Sequence, residues 1–361
     1  MDNKRNLTMM QACFLFLTVI YPGTMRLVPK YATESANHAA WLSPIIGTIP
    51  MIIIVLVIKA YAEKFPNTNY TDVMCKIVGK PIAKLLTVFY IVWFAILLSV
   101  LIRYFGERLV ISVYATSNIN IFIIIFIVII GVLLRSGITV IARMNKIIYI
   151  LLVVQFTVIV GLLLVQVDVK NITPISTLDI LPAIKGSLST AALGVHLFYI
   201  FMLGNEIITN KGFSKNMIYV VIFLLIVTPL LTIALLGTLG SNTIIMSPLP
   251  LLTAIKNISQ EGKFSGLESV FVSIWILADF VNIATFSYLI VKLLKSLFNL
   301  KNAMLLLNAI LLLAFILCQL IATEVFELQN FSMKLIPFVN IILGFAFPIL
   351  LLGIAKLRKL V

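Results

Sequence analysis

Ten apolar runs, most of them near 20 residues, divide this chain between short polar breaks, and each reads as one transmembrane helix. They lie at roughly 9–31, 41–61, 84–105, 119–134, 147–167, 188–208, 217–240, 267–291, 302–323 and 335–355. At about 1.5 Å per residue, some 20 residues cross a hydrocarbon core of roughly 30 Å. No segment between the runs is long enough for a separate soluble domain, so residues 1–361 read as a single all-α membrane domain. A short interfacial helix is expected within 67–84, and "SPLPLL" (247–252) reads as irregular.

Polar positions inside the runs mark the candidate chemistry. Span eight holds Asp279 near its middle, and Glu268, Trp275, Asp279, Asn282 and Phe286 recur at helical spacing on one face. Burying an ionisable group at mid-bilayer costs several kcal/mol, so Asp279 reads either as a ligand or ion-coupling group or as polar glue between helices. In span six His196 and Tyr199 share a face, with Gly194 and Gly204 bracketing a weak point. Imidazole there is either a satisfied interhelical hydrogen bond or a group titrating near neutral pH. Glu206 sits toward the end of that span, within reach of headgroups. Span three carries Tyr90, Trp93, Leu97 and Tyr104 at helical spacing; Trp93 is too deep for an interfacial belt. Arg103 and Glu107, four apart, are placed to pair.

Span one contains "VIYPGTMRLVPKYA" (19–32), with Pro22, Gly23 and Pro29 inside the run. Proline removes a backbone donor and glycine admits unusual dihedrals, so a break at Pro22 and Gly23 is expected rather than a simple kink. Broken backbone at membrane depth survives where it lines a cavity. The outer half-helix, starting near Thr24, would offer free N–H groups to a carboxylate. Arg26 and Lys30 would then lie beside external water. Paired interruptions in spans one and six point to an inverted-repeat transporter fold, one repeat about 9–167 and the other about 188–355.

The composition agrees with a membrane protein: 61% of residues are hydrophobic and 11% charged, against about 25% charged in soluble domains. The net charge of +14 follows the membrane topology. The larger share of the 27 Lys and Arg lies in segments that face the cytoplasm if the N-terminus does, in groups at 59–84, 135–146, 292–301 and 356–359. Both termini are expected in the cytoplasm, with attraction to anionic membrane lipid and no nucleic-acid partner. Lys4 and Arg5 precede the first run as in a signal peptide, but no small-residue cleavage site follows, so a retained helix is expected. The three cysteines form no CxxC, and no disulfide, metal or cofactor is expected. There is no HExxH and no GxSxG, and Asp279 and Glu268 lie about three turns apart, too far for a catalytic pair on one helix. An enzyme is not expected.

Four stretches carry a family resemblance by their order and spacing: "PGTMRLVPKYATESANHAAW" (22–41), "RYFGERLV" (103–110), "LGVH" (193–196) and "GLESVFVSIWIL" (266–277). Over essentially its whole length the chain resembles the B subunits of endospore germinant receptors. These are the spore germination permeases of the amino acid–polyamine–organocation superfamily. The resemblance implies a 5+5 inverted repeat, LeuT-like, with helices one and six broken, and a small-molecule pocket between spans one, three, six and eight. Carried over by position, that pocket uses Gly23, Thr24, Trp93, Leu97, Asn282 and Phe286. The family often has glutamate where this chain has His196, and an apolar or amide residue near Asp279, so no relative's germinant transfers directly. The implied partners are a small nutrient, an A subunit with a large soluble domain and a C-subunit lipoprotein; the implied location is the inner membrane of the spore. The competing reading on the same fold is a proton-coupled amino-acid permease, with Asp279 or His196 as the coupling site.

Overall fold

Ten helical stretches long and apolar enough to cross a bilayer run through the computed structural model, which describes residues 7–66, 68–112, 116–208, 213–260 and 266–360. Span one is α1 (Met9–Ala36) and span two is α2 (Leu42–Lys64). The short α3 (Tyr70–Val78) fulfils the interfacial expectation and leads into span three, α4 (Lys80–Ser112). Spans four and five are α5 (Ile119–Leu133) and α6 (Ile138–Leu164). Span six is cut into α7 (Ile180–Gly186), α8 (Leu188–Gly194) and α9 (His196–Phe201). Span seven is α10 (Phe213–Met246), kinked at Gly240, and a short, largely buried helix α11 (Pro250–Gln260) follows it. Span eight is α12 (Leu267–Phe298) and span nine is α13 (Leu307–Ile321). Span ten joins α14 (Val325–Lys334), α15 (Ile336–Ile341), a π-helical turn at Ile342–Ala346 and α16 (Phe347–Leu357).

Burial sorts these helices. The most apolar windows of spans one and eight are each 78% buried, whereas those of spans four and nine are 28% buried. On α5 the exposed residues are Ile121, Ile124, Ile125, Val128, Ile129, Val132 and Leu133, an apolar face suited to lipid rather than water. Spans one and eight pack on each other and on α6 at the centre; α4 lies against span eight and α10 against span one. Two short strands, β1 (Leu7–Thr8) and β2 (Ile207–Ile208), pair in parallel with Leu7 opposite Ile207, tying the start of span one to the end of span six. Thr8 also caps α1 in a reciprocal box with Gln11.

Several expectations are corrected. Span one is a continuous α-helix through Pro22, Gly23 and Pro29, so the helix break at Pro22 and Gly23 is absent. Pro22 removes one ladder bond only, and span eight braces the same turn: the Asn282 side chain donates to the Val19 carbonyl at 2.9 Å. The carbonyl that Pro22 leaves without its ladder donor is that of Thr18, and the Asn282 bond steadies its neighbour in the same turn. The interruption falls in span six, at Ser187 and Val195, where the backbone stays in the right-handed helical region rather than unwinding. Span five begins at Ile138, because "ITVIARMNK" continues the helix below the apolar run and buries Asn145. Within "SPLPLL" residues 250–252 are helical. Span ten starts ten residues earlier than its apolar run suggests, at Val325 rather than 335.

Candidate ligand site

Where spans three, six, eight and ten meet, aromatic rings and one amide interlock. Phe94 stands edge-on to Tyr199 (4.9 Å between centroids) and to Phe286 (5.5 Å), and His196 stands edge-on to the same two rings at 5.4 and 5.8 Å. Asn340, fully buried on α15, gathers three helices. Its Oδ1 accepts from Trp93 Nε1 (2.9 Å) and the Tyr199 hydroxyl (3.1 Å), and its Nδ2 donates to the Ala192 carbonyl at 3.2 Å. His196 Nδ1 lies 3.0 Å from the Leu193 carbonyl. A carbonyl only accepts, so Nδ1 carries the hydrogen and Nε2 is the nitrogen left to titrate. Gly23 belongs to the same layer, because a Cβ there would meet Leu193 Cδ2 at 2.9 Å.

The π-helical turn of span ten leaves one carbonyl to a side chain. In π geometry the Leu343 carbonyl would accept from residue 348, which is a proline without N–H. The Tyr90 hydroxyl supplies the bond instead, at 2.5 Å. At Gly344 span ten comes so close to span six that a Cβ would sit 1.8 Å from Val195 Cγ1, beside the interruption in that span.

A charged layer lies toward the side of the membrane where α1 ends. Arg108 and Asp279 form an ion pair, and the Arg108 guanidinium lies 4.0 Å over the Trp275 ring. The Arg26 guanidinium lies over the Tyr104 ring at 3.1 Å. The three ionisable residues are almost wholly enclosed, with Arg26 4%, Arg108 2% and Asp279 3% exposed. This corrects the expectation that Arg26 lies beside external water; Lys30 is also largely buried but lines the cavity that opens on that side. Lys30 donates to Gln329 Oε1 (2.8 Å) and the Ser247 carbonyl (3.2 Å), and Gln329 donates to the Pro248 carbonyl, so span one, the α10–α11 corner and α14 are laced together. Arg103 pairs with Glu107 as expected, and also donates to the Thr323 carbonyl at 2.6 Å.

Toward the opposite side, Lys292 of span eight pairs with Glu206 at 3.0 Å and donates to Asn205 at 3.0 Å; the Tyr288 hydroxyl donates to Glu206 at 2.8 Å. Glu206 is thus bound at the end of span six and lines a cavity of about 370 Å³ with Asn69, Asp72 and Lys295, away from the ring cluster. A second cavity of about 480 Å³ opens on the other side between α1 and span ten, lined by Lys30, Glu34 and Lys334. Two vestibules therefore flank a packed centre.

The structure thus brings Trp93, His196, Tyr199 and Phe286 into one cluster, with Asn282 bracing span one and Leu97 buried on the same helix as Trp93. Thr24 is buried but lines a small recess toward spans five and seven, with Tyr21 and Met25. Asn340 and Arg108 are central residues that sequence reasoning missed. The signal for Asn340 was a lone amide within "IPFVNIILGF"; for Arg108 it was a cation one turn beyond Tyr104.

A ten-span bundle with a polar and aromatic cluster at the meeting of its central helices, closed from two vestibules, is a transporter-like membrane fold. Solved structures agree on the fold. Mhp1, a nucleobase-cation-symport-1 family transporter in a closed conformation with bromovinylhydantoin bound, matches with a TM-score of 0.64 at 15% identity, over 92% of this chain and 75% of that one. Mhp1 in an inward-facing conformation matches with a TM-score of 0.60 at 14% identity, over 93% and 73%. The fold is therefore the expected LeuT-like 5+5 inverted repeat. Residues 6–327 match the family described as spore germination protein, and the chain belongs to that family. Among curated proteins it is similar to spore germination protein KB of Bacillus subtilis (strain 168), 25% identical over 349 residues, covering 94% of this chain and 90% of the relative. It is also similar to spore germination protein YndE of the same organism, 22% identical over 281 residues, covering 76% of each chain.

Proposed function

We propose that this protein is the nutrient-sensing membrane subunit of a spore germinant receptor. The observation that carries the reading is the junction of spans three, six, eight and ten in a chain of the spore germination family: His196, Tyr199, Trp93 and Phe286 converge there around Asn340. A small nutrient, an amino acid or similar, would be held by Gly23, Thr24, Trp93, Leu97, His196, Tyr199, Asn282 and Phe286. The signal is conformational and involves no covalent catalysis. It would pass to an A subunit and a C-subunit lipoprotein in the inner membrane of the spore, with both termini in the cytoplasm. The two repeats are assigned to about 9–167 and 188–355.

The closed centre gives the ligand its leverage. A ligand moves an equilibrium only through its different affinity for two states, and about 5.5 kcal/mol carries 1:99 to 99:1. A nutrient that fits only when the ring cluster and the vestibule closures loosen has that difference built in.

The test is deletion of this gene in its spore former, followed by a germinant panel with complementation by assembled Trp93→Ala and Asn282→Leu variants. Loss of response to one nutrient class, with altered dose–response in the variants, is the expected result. Unimpaired germination with every nutrient would reject the reading. The transporter fold favours one second reading, a proton-coupled permease; pH-gradient-driven uptake of a labelled amino acid by proteoliposomes would establish it, and saturable binding without turnover would exclude it.

A further inference from the structure

The charged layer does not balance. Arg26, Arg108 and Asp279 are each within electrostatic reach of the other two, and no second carboxylate acts on any of them among the described residues. The nearest acid along span three, Glu107, is committed to Arg103. Two enclosed guanidinium groups therefore share one carboxylate. Arginine stays charged in proteins, so the surplus is a full positive charge in a low-dielectric layer.

Hydrogen-bond accounting gives the same answer independently. Arg108 gives Nη1 to Asp279, but its Nε and Nη2 find no acceptor among the described residues, and neither does Arg26 Nε. Asp279 comes from span eight, Arg108 from span three and Arg26 from span one, so the free donors belong to different helices. One face of each guanidinium is covered by an aromatic ring, Tyr104 for Arg26 and Trp275 for Arg108. That leaves the N–H edges, the part of a guanidinium that grips a carboxylate through parallel bonds.

We infer that Arg26 and Arg108 form a binding site for one small monovalent anion, a carboxylate or a halide, with Asp279 as the built-in anion that competes for Arg108. When the anion arrives it supplies the missing charge and the missing acceptors together, and ties span one to span three. The site does not depend on whether the protein senses or transports. It lies about two turns along span eight from the ring cluster, since Asp279 precedes Phe286 by seven residues.

The experiment uses the full chain in neutral detergent micelles, with thermal unfolding read at constant ionic strength in a chloride-free sulfate buffer. Sodium formate, sodium acetate and sodium chloride are titrated, with formamide as the uncharged control. Formate is expected to raise Tm saturably and formamide to leave it unmoved. Arg26→Gln should abolish the saturable shift while Arg26→Lys keeps part of it. Asp279→Asn should tighten the formate midpoint at least about tenfold, equivalent to roughly 1.4 kcal/mol, because it removes the internal competitor. Arg108→Gln alone leaves Asp279 buried without a counter-charge, so the double variant Arg108→Gln with Asp279→Asn, a neutral amide pair, is the folding-competent control, and it should show no formate shift. Equal midpoints for chloride and formate would assign the site to inorganic anions, and a formate shift without a chloride shift would assign it to the carboxylate of an organic ligand. A formate response no larger than that of formamide, or one undiminished in Arg26→Gln, overturns the inference.

Discussion

Asn340 shows how one side chain can set the geometry of a site without being reactive. Its amide is shared by Trp93, Tyr199 and the Ala192 carbonyl, so span ten fixes the orientation of rings on spans three and six. Asn340→Ala strands two buried donors, and each such group costs about 1–3 kcal/mol. The expected result is a lower Tm and a non-additive double variant with Trp93→Phe, with a coupling energy of at least about 0.5 kcal/mol. Additivity would mean that the amide and the indole act separately. For Asp279 the prediction concerns imbalance. Removing one member of a buried ion pair typically costs about 3–5 kcal/mol, whereas replacing both members is far milder. Asp279→Asn in anion-free buffer should therefore unfold at lower temperature than the double variant with Arg108→Gln.

At the scale of elements, the two interrupted helices meet each other. Span six is interrupted at Val195, and span ten swells into π geometry at Ile342–Ala346, just ahead of Pro348. Gly344 lets these irregular points touch. Gly344→Ala should force them apart, at a cost of about 1–3 kcal/mol for an overpacked contact, read as a fall in Tm. Span one predicts the opposite. Because its helix is continuous, Pro22→Ala restores an N–H without removing any contact that the break would have supplied, and Tm should hold or rise. A marked loss of stability would show that the proline is structurally required.

These elements also show what the sequence could disclose. The ten spans and the buried face of span eight were legible because apolar length and helical spacing are local properties. Trp275, Asp279, Asn282 and Phe286 are all buried, as that spacing required, while Glu268 of the same face, in the first turn of the helix, is half-buried. The continuity of span one was not legible, because the packing around Pro22, with Asn282 reaching across from another helix, is a tertiary property. Span five was read too short because its polar extension below the apolar run is held by packing rather than by composition. Arg26 was placed near water because the rings that shelter it, and the Arg108 beside it, come from distant parts of the chain.

At the scale of the whole molecule, the centre is held shut at both ends by different chemistry. One end uses Lys30 and Gln329 laced to backbone carbonyls; the other uses Lys292, Glu206 and Tyr288 beside β1 and β2. Glu206→Gln keeps the shape but removes the charge opposite Lys292. Hydrogen–deuterium exchange at residues 204–208 should rise in that variant while exchange in α1 and α12 stays unchanged. Equal protection would show that the strands hold the end without the ion pair.

The pairing of Leu7 with Ile207 also sets an order of events during synthesis. Leu7 is made six spans ahead of Ile207, so β1 leaves the ribosome well before its partner. Until then β1 has no partner strand among the described residues made before β2. This end of span one therefore stays unlatched while spans one to six are made, and the segment after span six is what closes it.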